Sequence, residues 1–182
     1  MIMPTRLRKI ALTVHVTSSV GWLGAVVAFL ALDITAQVSN DVETVRAAYL
    51  AMGTIIWYVL IPFAIAALLT GIVQSLGTVW GFFRHYWVVF KLVLTVVATL
   101  LLVQYSPTVG DTADVAASIA DPRGLPSFFL HSVGALVVLL VLTILAVFKP
   151  RGTTRYGWRK QREQQRRQDR RRKTTVPQMQ QG

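Results

Sequence analysis

The chain contains no cysteine and few charged residues. Of its 182 residues, 15% are Asp, Glu, Lys or Arg, whereas about 25% is usual in a soluble domain. The absence of cysteine excludes disulfides, thiolate metal sites and covalently attached c-type haem. The shortage of charge, together with a hydrophobic fraction of 53%, is typical of a membrane protein.

Several motifs of enzymes and transporters are also missing from the sequence. It has no phosphate-binding glycine loop and no G-x-S-x-G nucleophile elbow. No pair of carboxylates falls within an apolar segment, which argues against most proton or cation pumps. The four methionines form no copper-binding cluster; they are Met1, Met3, Met52 and Met179.

Four long segments are almost free of charge. They lie between Lys9 and Asp33, Arg46 and Arg84, Arg84 and Asp111, and Arg123 and Lys149, and the third contains only Lys91. A helix needs about 20 residues to cross a bilayer, where backbone groups must bond within their own segment. We therefore predict an all-α integral membrane four-helix bundle with helices at about 10–32, 49–77, 86–105 and 126–148. Pro62 predicts a kink in the second helix, and Pro126 is expected in the first turn of the fourth.

The distribution of basic residues predicts the orientation. Residues 1–9 carry three basic residues and no acid, and residues 149–182 carry twelve Lys or Arg against Glu163 and Asp169. The loops after the first and third helices are acidic. Because basic segments stay in the cytoplasm, we predict a multi-pass protein of the cell membrane with both termini cytoplasmic.

Residues 149–182 are expected to form a disordered cytoplasmic tail. This segment is rich in Arg and Gln and has few apolar residues to offset the entropy of ordering. Basic residues near a membrane surface attract anionic lipid headgroups. We therefore predict lipid as the partner of the tail, in preference to nucleic acid.

Polar residues inside the predicted spans are the candidates for chemistry, because ionisable groups are costly there. Ser18, Ser19 and Trp22 share the helix face of His15, and Lys91 enters the third helix at nearly the same depth. We predict one polar layer formed by His15, Ser18, Ser19, Gln74, Lys91 and Thr95. Two simpler interpretations remain: a helix–helix hydrogen bond for His15, and a Lys91 ammonium that reaches the interface.

His131 lies near the start of the fourth helix, toward the opposite surface. With Ser127 and Gly134 it could form a secondary outer site, and the alternative is an interfacial histidine bonded to a neighbour. A regular helical rise puts His15 and His131 roughly 12–15 Å apart along the membrane normal, too far to share one haem. His85, beside Arg84, is expected to be a solvated loop residue.

The spacing of His15, Trp22 and Gly24 in the first helix, with Trp87 and Lys91-Leu92 in the third, resembles a known membrane superfamily. It includes the CopD-type copper-resistance proteins and the HemJ-type protoporphyrinogen oxidases. Over roughly residues 7–148 the chain is most similar to a sister family of bacterial four-helix membrane proteins of unknown function. The resemblance implies a bacterial inner-membrane location.

In the HemJ type, a first-helix histidine and a third-helix lysine are associated with haem b and activity. The resemblance implies these roles for His15 and Lys91. The chain departs from that type where it reads Phe29-Leu30-Ala31-Leu32-Asp33, without a Pro-Arg stretch. It also has Leu102 and Tyr105 where that type has a further histidine. These differences argue against oxidase activity more than against haem binding.

The leading hypothesis is a protein that binds haem b or a porphyrin, with His15 as the axial ligand to the iron. Ser18 or Ser19 would hold its other ring nitrogen, and Lys91 would be a second ligand or pair with a propionate. Arg8 and Arg84 would clamp propionates. Trp22 and Gly24 would form the porphyrin wall.

Two other functions stay open. A cofactor-free scaffold or accessory subunit would use small residues for helix packing, in a homo-oligomer or with another membrane protein. A small-solute or copper transporter would need an oligomer, since four helices are few for alternating access. No catalytic residue is identified by the sequence, and whether the chain is an enzyme stays open.

Overall fold

The computed structural model describes residues 4–77 and 86–148, together with Arg162 and Gln165. Within these residues the structure has five α-helices and a π-helical turn, without strands. The helices are α1 (Thr5–Val38), α2 (Val42–Ile55), α3 (Ile61–Gly77), α4 (Tyr86–Ser118) and α5 (Phe129–Phe148). The π-helical turn, Ile56–Leu60, joins α2 directly to α3. Arg84, His85 and nearly all of the basic tail lie outside the described residues.

The helices form four spans, each long and apolar enough to cross a membrane. The first is α1, the second is α2 with the π turn and α3, and the third and fourth are α4 and α5. The predicted all-α four-helix membrane fold is therefore confirmed. The outward surface carries many large apolar side chains, among them Val20 at 63% and Leu130 at 80% exposure. An apolar surface of this extent suits contact with lipid and is rare on soluble monomers.

The four spans form a closed up-and-down bundle. The first span packs against the second and against α5, and α4 packs against the second span and α5. The first and third spans are diagonal to each other, as are the second and fourth. The core is tied together by Phe128, whose ring centroid lies 6.1 Å from that of Phe29, 6.5 Å from Tyr49 and 5.9 Å from Tyr105. This aromatic cluster joins all four spans just before α5 begins.

Three spans are longer than hydropathy predicts. The 34 residues of α1 measure about 51 Å at the usual rise, and the 20 residues of α5 measure about 30 Å. The length of α5 is therefore about what one bilayer crossing requires, and the other spans are longer than that. Asp33, Asp111 and Asp114 consequently lie on helices, where the sequence predicted loops. Hydropathy marks the segment that can lie in lipid, but the helices continue beyond it, and α4 does so past Pro107.

The fourth span begins later than predicted. Pro126 precedes α5 by three residues, so its expected place in the first helical turn is wrong. The hydroxyl of Tyr49 lies 3.0 Å from the carbonyl oxygen of Leu125 and 3.3 Å from that of Pro126. These contacts hold the segment outside the helix, which starts after Phe128.

The irregularity predicted at Pro62 takes the form of the π turn that precedes it. The N–H of Ile61 donates to the carbonyl of Ile56, one residue farther back than in an α-helix. Proline lacks an N–H, and its ring clashes with the carbonyl four residues earlier. Widening the turn before Pro62 relieves that clash.

The loops between α1 and α2 and between α4 and α5 meet at one end of the bundle. This acidic end, residues 33–46 and 106–128, holds six acidic residues and two arginines. The Arg46 guanidinium donates to the carbonyls of Ala116, Ile119 and Ala120. It thereby satisfies carbonyl groups at the C-terminus of α4, where a cation is favoured.

Two further contacts order the loops of the acidic end. Asp41 caps α2 by accepting from the backbone N–H of Thr44 at 2.9 Å. In the second loop, Arg123 donates hydrogen bonds to Asp121, with the shortest at 2.7 Å. These bonds hold the pKa of the Asp121 carboxyl below its ordinary value, at about 2. Both loops are therefore held by specific polar contacts.

Candidate functional site

His15 lies half-buried on α1 and faces α3. Its Nδ1 atom is 3.1 Å from the carbonyl oxygen of Ala67 and 3.1 Å from the hydroxyl oxygen of Thr70. A carbonyl oxygen can only accept. The Thr70 hydroxyl donates its one proton to the carbonyl of Ala66, at 2.5 Å, so toward the imidazole it also accepts. Nδ1 therefore carries the proton, and in the neutral ring Nε2 is the unprotonated nitrogen, without a hydrogen-bond partner among the described residues.

The packing around His15 leaves space for the ring and little more on the side of α3. A Cβ atom added at Gly71 would lie 3.2 Å from Cε1 of His15. One helical turn before His15 on α1, the carbonyl of Ala11 accepts a hydrogen bond from the Gln74 amide at 3.0 Å. The predicted meeting of the first and second spans at one polar level is therefore present. Of the second-span residues at this level, the sequence pattern had already placed Gln74 in the layer.

Lys91 approaches the same level from α4. It is half-buried and close enough to His15 for their charges to interact. Thr95 and Thr99 continue its face, and their hydroxyls donate at 2.8 Å to the carbonyls of Lys91 and Thr95. The hydroxyl groups of both threonines therefore form their hydrogen bonds within α4. His15 and Gln74 are thus the members of the predicted layer that join two spans, and Lys91 lies within electrostatic range of His15 on the diagonal span.

The serines of α1 do not hold the imidazole. Ser18 is buried, and its hydroxyl donates at 2.7 Å to the carbonyl of Val14 in its own helix. Ser19 is half-buried. The partners of Nδ1 are instead Ala67 and Thr70. The sequence could not select these partners, because they depend on the rotation of α3 against α1.

The remaining predicted residues of the first helix divide between two faces. Trp22 is buried in the core, on the same face as His15. Gly24 is exposed, and a Cβ added there would meet no described atom within 4 Å. Nine residues separate Gly24 from His15, which places them on opposite sides of a helix, and Gly24 therefore cannot line a site inside the bundle. Arg8 is exposed, seven residues before His15 and on its face.

The predicted outer group of three residues is not brought together. His131 stacks on Tyr105, with ring centroids 3.9 Å apart and planes inclined by 17°. His131 and Gly134 line a cavity of about 390 Å³, together with Trp22 and Tyr105. Ser127 lies outside that lining, and its hydroxyl donates at 3.0 Å to Asp33.

Asp33 is a residue that sequence reasoning missed. It was expected in a loop, yet its side chain is fully buried near the end of α1. One carboxylate oxygen accepts from Ser127, and the other accepts at 3.0 Å from the backbone N–H of Phe128. The signal was available, since Trp22, Phe29 and Asp33 fall seven and four residues apart and so share one helix face. This shared face predicts that the Asp33 carboxylate packs in the interior of the bundle.

The described residues contain no group of three or more His, Cys, Asp or Glu side chains placed to hold a metal ion. Within the layer that also holds Lys91, the nitrogen that could ligate a cofactor metal is Nε2 of His15. Searches for similar proteins found no matching family model, no matching curated protein and no matching solved structure.

Proposed function

We propose that this membrane protein binds haem b or a related porphyrin through His15. The observation that carries the proposal is the anchoring of Nδ1 on the carbonyl of Ala67. Histidines that ligate metals typically donate their other ring N–H to a carbonyl or carboxylate, which fixes the tautomer and the ring orientation. His15 has this arrangement, and its Nε2 lone pair is free to bind iron.

Two cations support the proposal from the same part of the bundle. Lys91 lies within electrostatic range of His15, and Arg8 lies on the helix face of His15, toward the start of α1. Charge-assisted hydrogen bonds to carboxylates are the usual way to hold haem propionates. Trp22 adds an apolar wall on the same face, whereas Gly24 takes no part. When bound, a haem would supply one-electron chemistry, and the chain would supply the ligand, the cations and an apolar surrounding.

The test is the absorption spectrum of detergent-purified protein, expressed with haem precursor and also titrated with added hemin. We expect a Soret band that is retained in His131→Ala and lost in His15→Ala. His15→Gln is a second variant, because its amide can still donate to the carbonyl of Ala67 while it is a poor haem ligand. Size-exclusion chromatography of each variant separates loss of ligand from loss of fold.

Two outcomes would end the haem proposal. One is a folded wild-type protein that stays colourless and fails to take up hemin. The other is a Soret band of equal intensity in His15→Gln and the wild type.

A colourless protein would make the cofactor-free scaffold the leading candidate, and close packing of small residues favours it. A Cβ added at Gly21 would lie 2.9 Å from the ring of Phe63, and one added at Gly53 would lie 2.7 Å from Ala113. The spans can approach this closely only because these residues lack side chains. In that case the polar layer around His15 stabilises the bundle without binding a ligand.

A further inference from the structure

A cavity separate from the His15 layer lies between the spans, toward the acidic end. Its volume is about 390 Å³, within the range of small-molecule sites in proteins. On α5 its lining runs from Leu130 to Leu139, a length of about 14 Å. His15 is not part of the lining, and Trp22 is the member of α1 nearest to it in sequence.

The cavity opens toward the lipid between α4 and α5. The lining residues contributed by α1 and by the π turn are buried. The exposed lining residues all lie on α4 and α5; they are Leu101, Leu130, His131 and Gly134. Both helices are membrane spans. A ligand would therefore enter sideways from the bilayer.

The lining also restricts the chemistry of the ligand. It contains no Asp, Glu, Lys or Arg, so a charged head group would lose its hydration without a countercharge. It does contain polar groups that the protein leaves free. Among the described residues, neither the ring nitrogens of His131 nor the Tyr105 hydroxyl has a hydrogen-bond partner. Stacking against Tyr105 holds the imidazole in place at the mouth.

We propose that this cavity binds a neutral, lipid-soluble molecule. Its apolar body would fill the space next to Trp22, and its carbonyl or hydroxyl oxygen would form a hydrogen bond with His131 at the mouth. His131 is exposed at a mouth that faces lipid, and lipid tails offer its ring nitrogens no hydrogen bond; a ligand oxygen would supply that partner. Any apolar tail would leave through the gap between α4 and α5. This site uses neither His15 nor the cations of the haem proposal, although Trp22 contributes to both.

Trp22 provides a built-in reporter, because quinones quench tryptophan fluorescence at contact distance. The probe is a decyl-substituted benzoquinone, titrated into the protein in lipid nanodiscs. We expect a saturable quenching component that is absent from Trp22→Phe. His131→Leu should weaken binding by about three- to tenfold, the effect of one hydrogen bond.

Two exposed glycines provide a matched pair of blocking variants. A Cβ at either Gly134 or Gly24 meets no described atom within 4 Å, but only Gly134 lines the cavity. We expect Gly134→Phe to abolish saturable quenching and Gly24→Phe to leave it unchanged. Two competitors test the role of the oxygen. Decylbenzene, which lacks an oxygen, should displace the quinone probe far less effectively than decyl alcohol.

Three results would overturn the proposal. The first is quenching in the wild type that rises without saturation and equals that in Trp22→Phe. The second is equal binding by the two glycine variants. The third is equal displacement by decylbenzene and the alcohol, which would remove the role of the oxygen and of His131.

Discussion

At the scale of single residues, Asp33 shows how a carboxylate can be kept in the interior of a membrane protein. Both of its oxygens accept hydrogen bonds, from Ser127 and from the N–H of Phe128. That N–H belongs to the residue before α5, where the helix dipole favours a negative charge. Asp33 therefore links the end of the first span to the start of the fourth.

Replacing Asp33 by alanine should destabilise the fold by about 1–3 kcal/mol, because the buried N–H of Phe128 and the Ser127 hydroxyl lose their acceptor. The measurement is reversible unfolding in mixed micelles with increasing SDS. The matched control is Asp114→Ala, an exposed carboxylate at the same end, which should change stability by less than about 0.5 kcal/mol. Equal effects of the two variants would show that the Asp33 contacts add nothing beyond charge.

His15 shows where sequence reasoning succeeds and where it stops for a single residue. Its position on a polar face with Ser18 and Trp22 follows from the helical repeat alone. Its partners, Ala67 and Thr70, come from another span. The repeat cannot give the rotation of that span, and so the tautomer of His15 could be assigned only from the structure.

At the scale of secondary structure elements, the second span depends on its π turn. Its buried residues Met52, Ile56, Leu60 and Ala64 recur every four residues. An α-helix repeats every 3.6 residues, so this spacing would rotate the buried face by about 40° per step in a regular helix. The wider π turn, at Ile56–Leu60, absorbs this drift and keeps both halves of the span facing the core.

Deleting Tyr58 should be tolerated for the same reason. Tyr58 lies in the π turn and is 78% exposed. Without it, the buried positions fall at alternating intervals of four and three, which fit a regular α-helix. We expect a protein that still folds but melts at a lower temperature than the wild type, because a regular helix restores the clash of the Pro62 ring. The measurement is the loss of monodisperse protein on heating.

Deleting Leu50 is the control for that experiment. Leu50 is also exposed, at 41%, but it lies in the regular helix α2. Its loss would rotate one half of the span against the other by about 100°, and turn Tyr49 or Met52 out of the core. The deletion should therefore unfold the protein. If the two deletions are equally harmful, the π turn does not contain the extra residue.

At the scale of the whole molecule, the predicted orientation can be tested directly because the chain contains no cysteine. We expect Asp114→Cys, at the acidic end, to react with a membrane-impermeant maleimide in intact cells. Arg8→Cys, at the other end, should react only after permeabilisation. Leu140→Cys lies on an outward face in the middle of α5 and should remain unreactive in lipid. The reverse pattern for the first two positions would invert the proposed topology.

The cavity is also a property of the whole molecule. Trp22, Tyr105 and His131 come from three spans and meet only because the bundle closes. The sequence indicated His131 as a candidate, but grouped it with Ser127, which turns to Asp33 instead. Spacing along one helix cannot say which neighbours a side chain meets across a gap.

The sequence by itself determined the class of the protein, the number of spans and the polar face of α1. These follow from the cost of placing charge and unpaired backbone groups in lipid, which acts on each segment separately. Only the tertiary structure decided the partners of His15, the burial of Asp33, the outward position of Gly24 and the cavity beside His131. Each of these depends on the rotation and length of one helix relative to another, and packing between helices sets both.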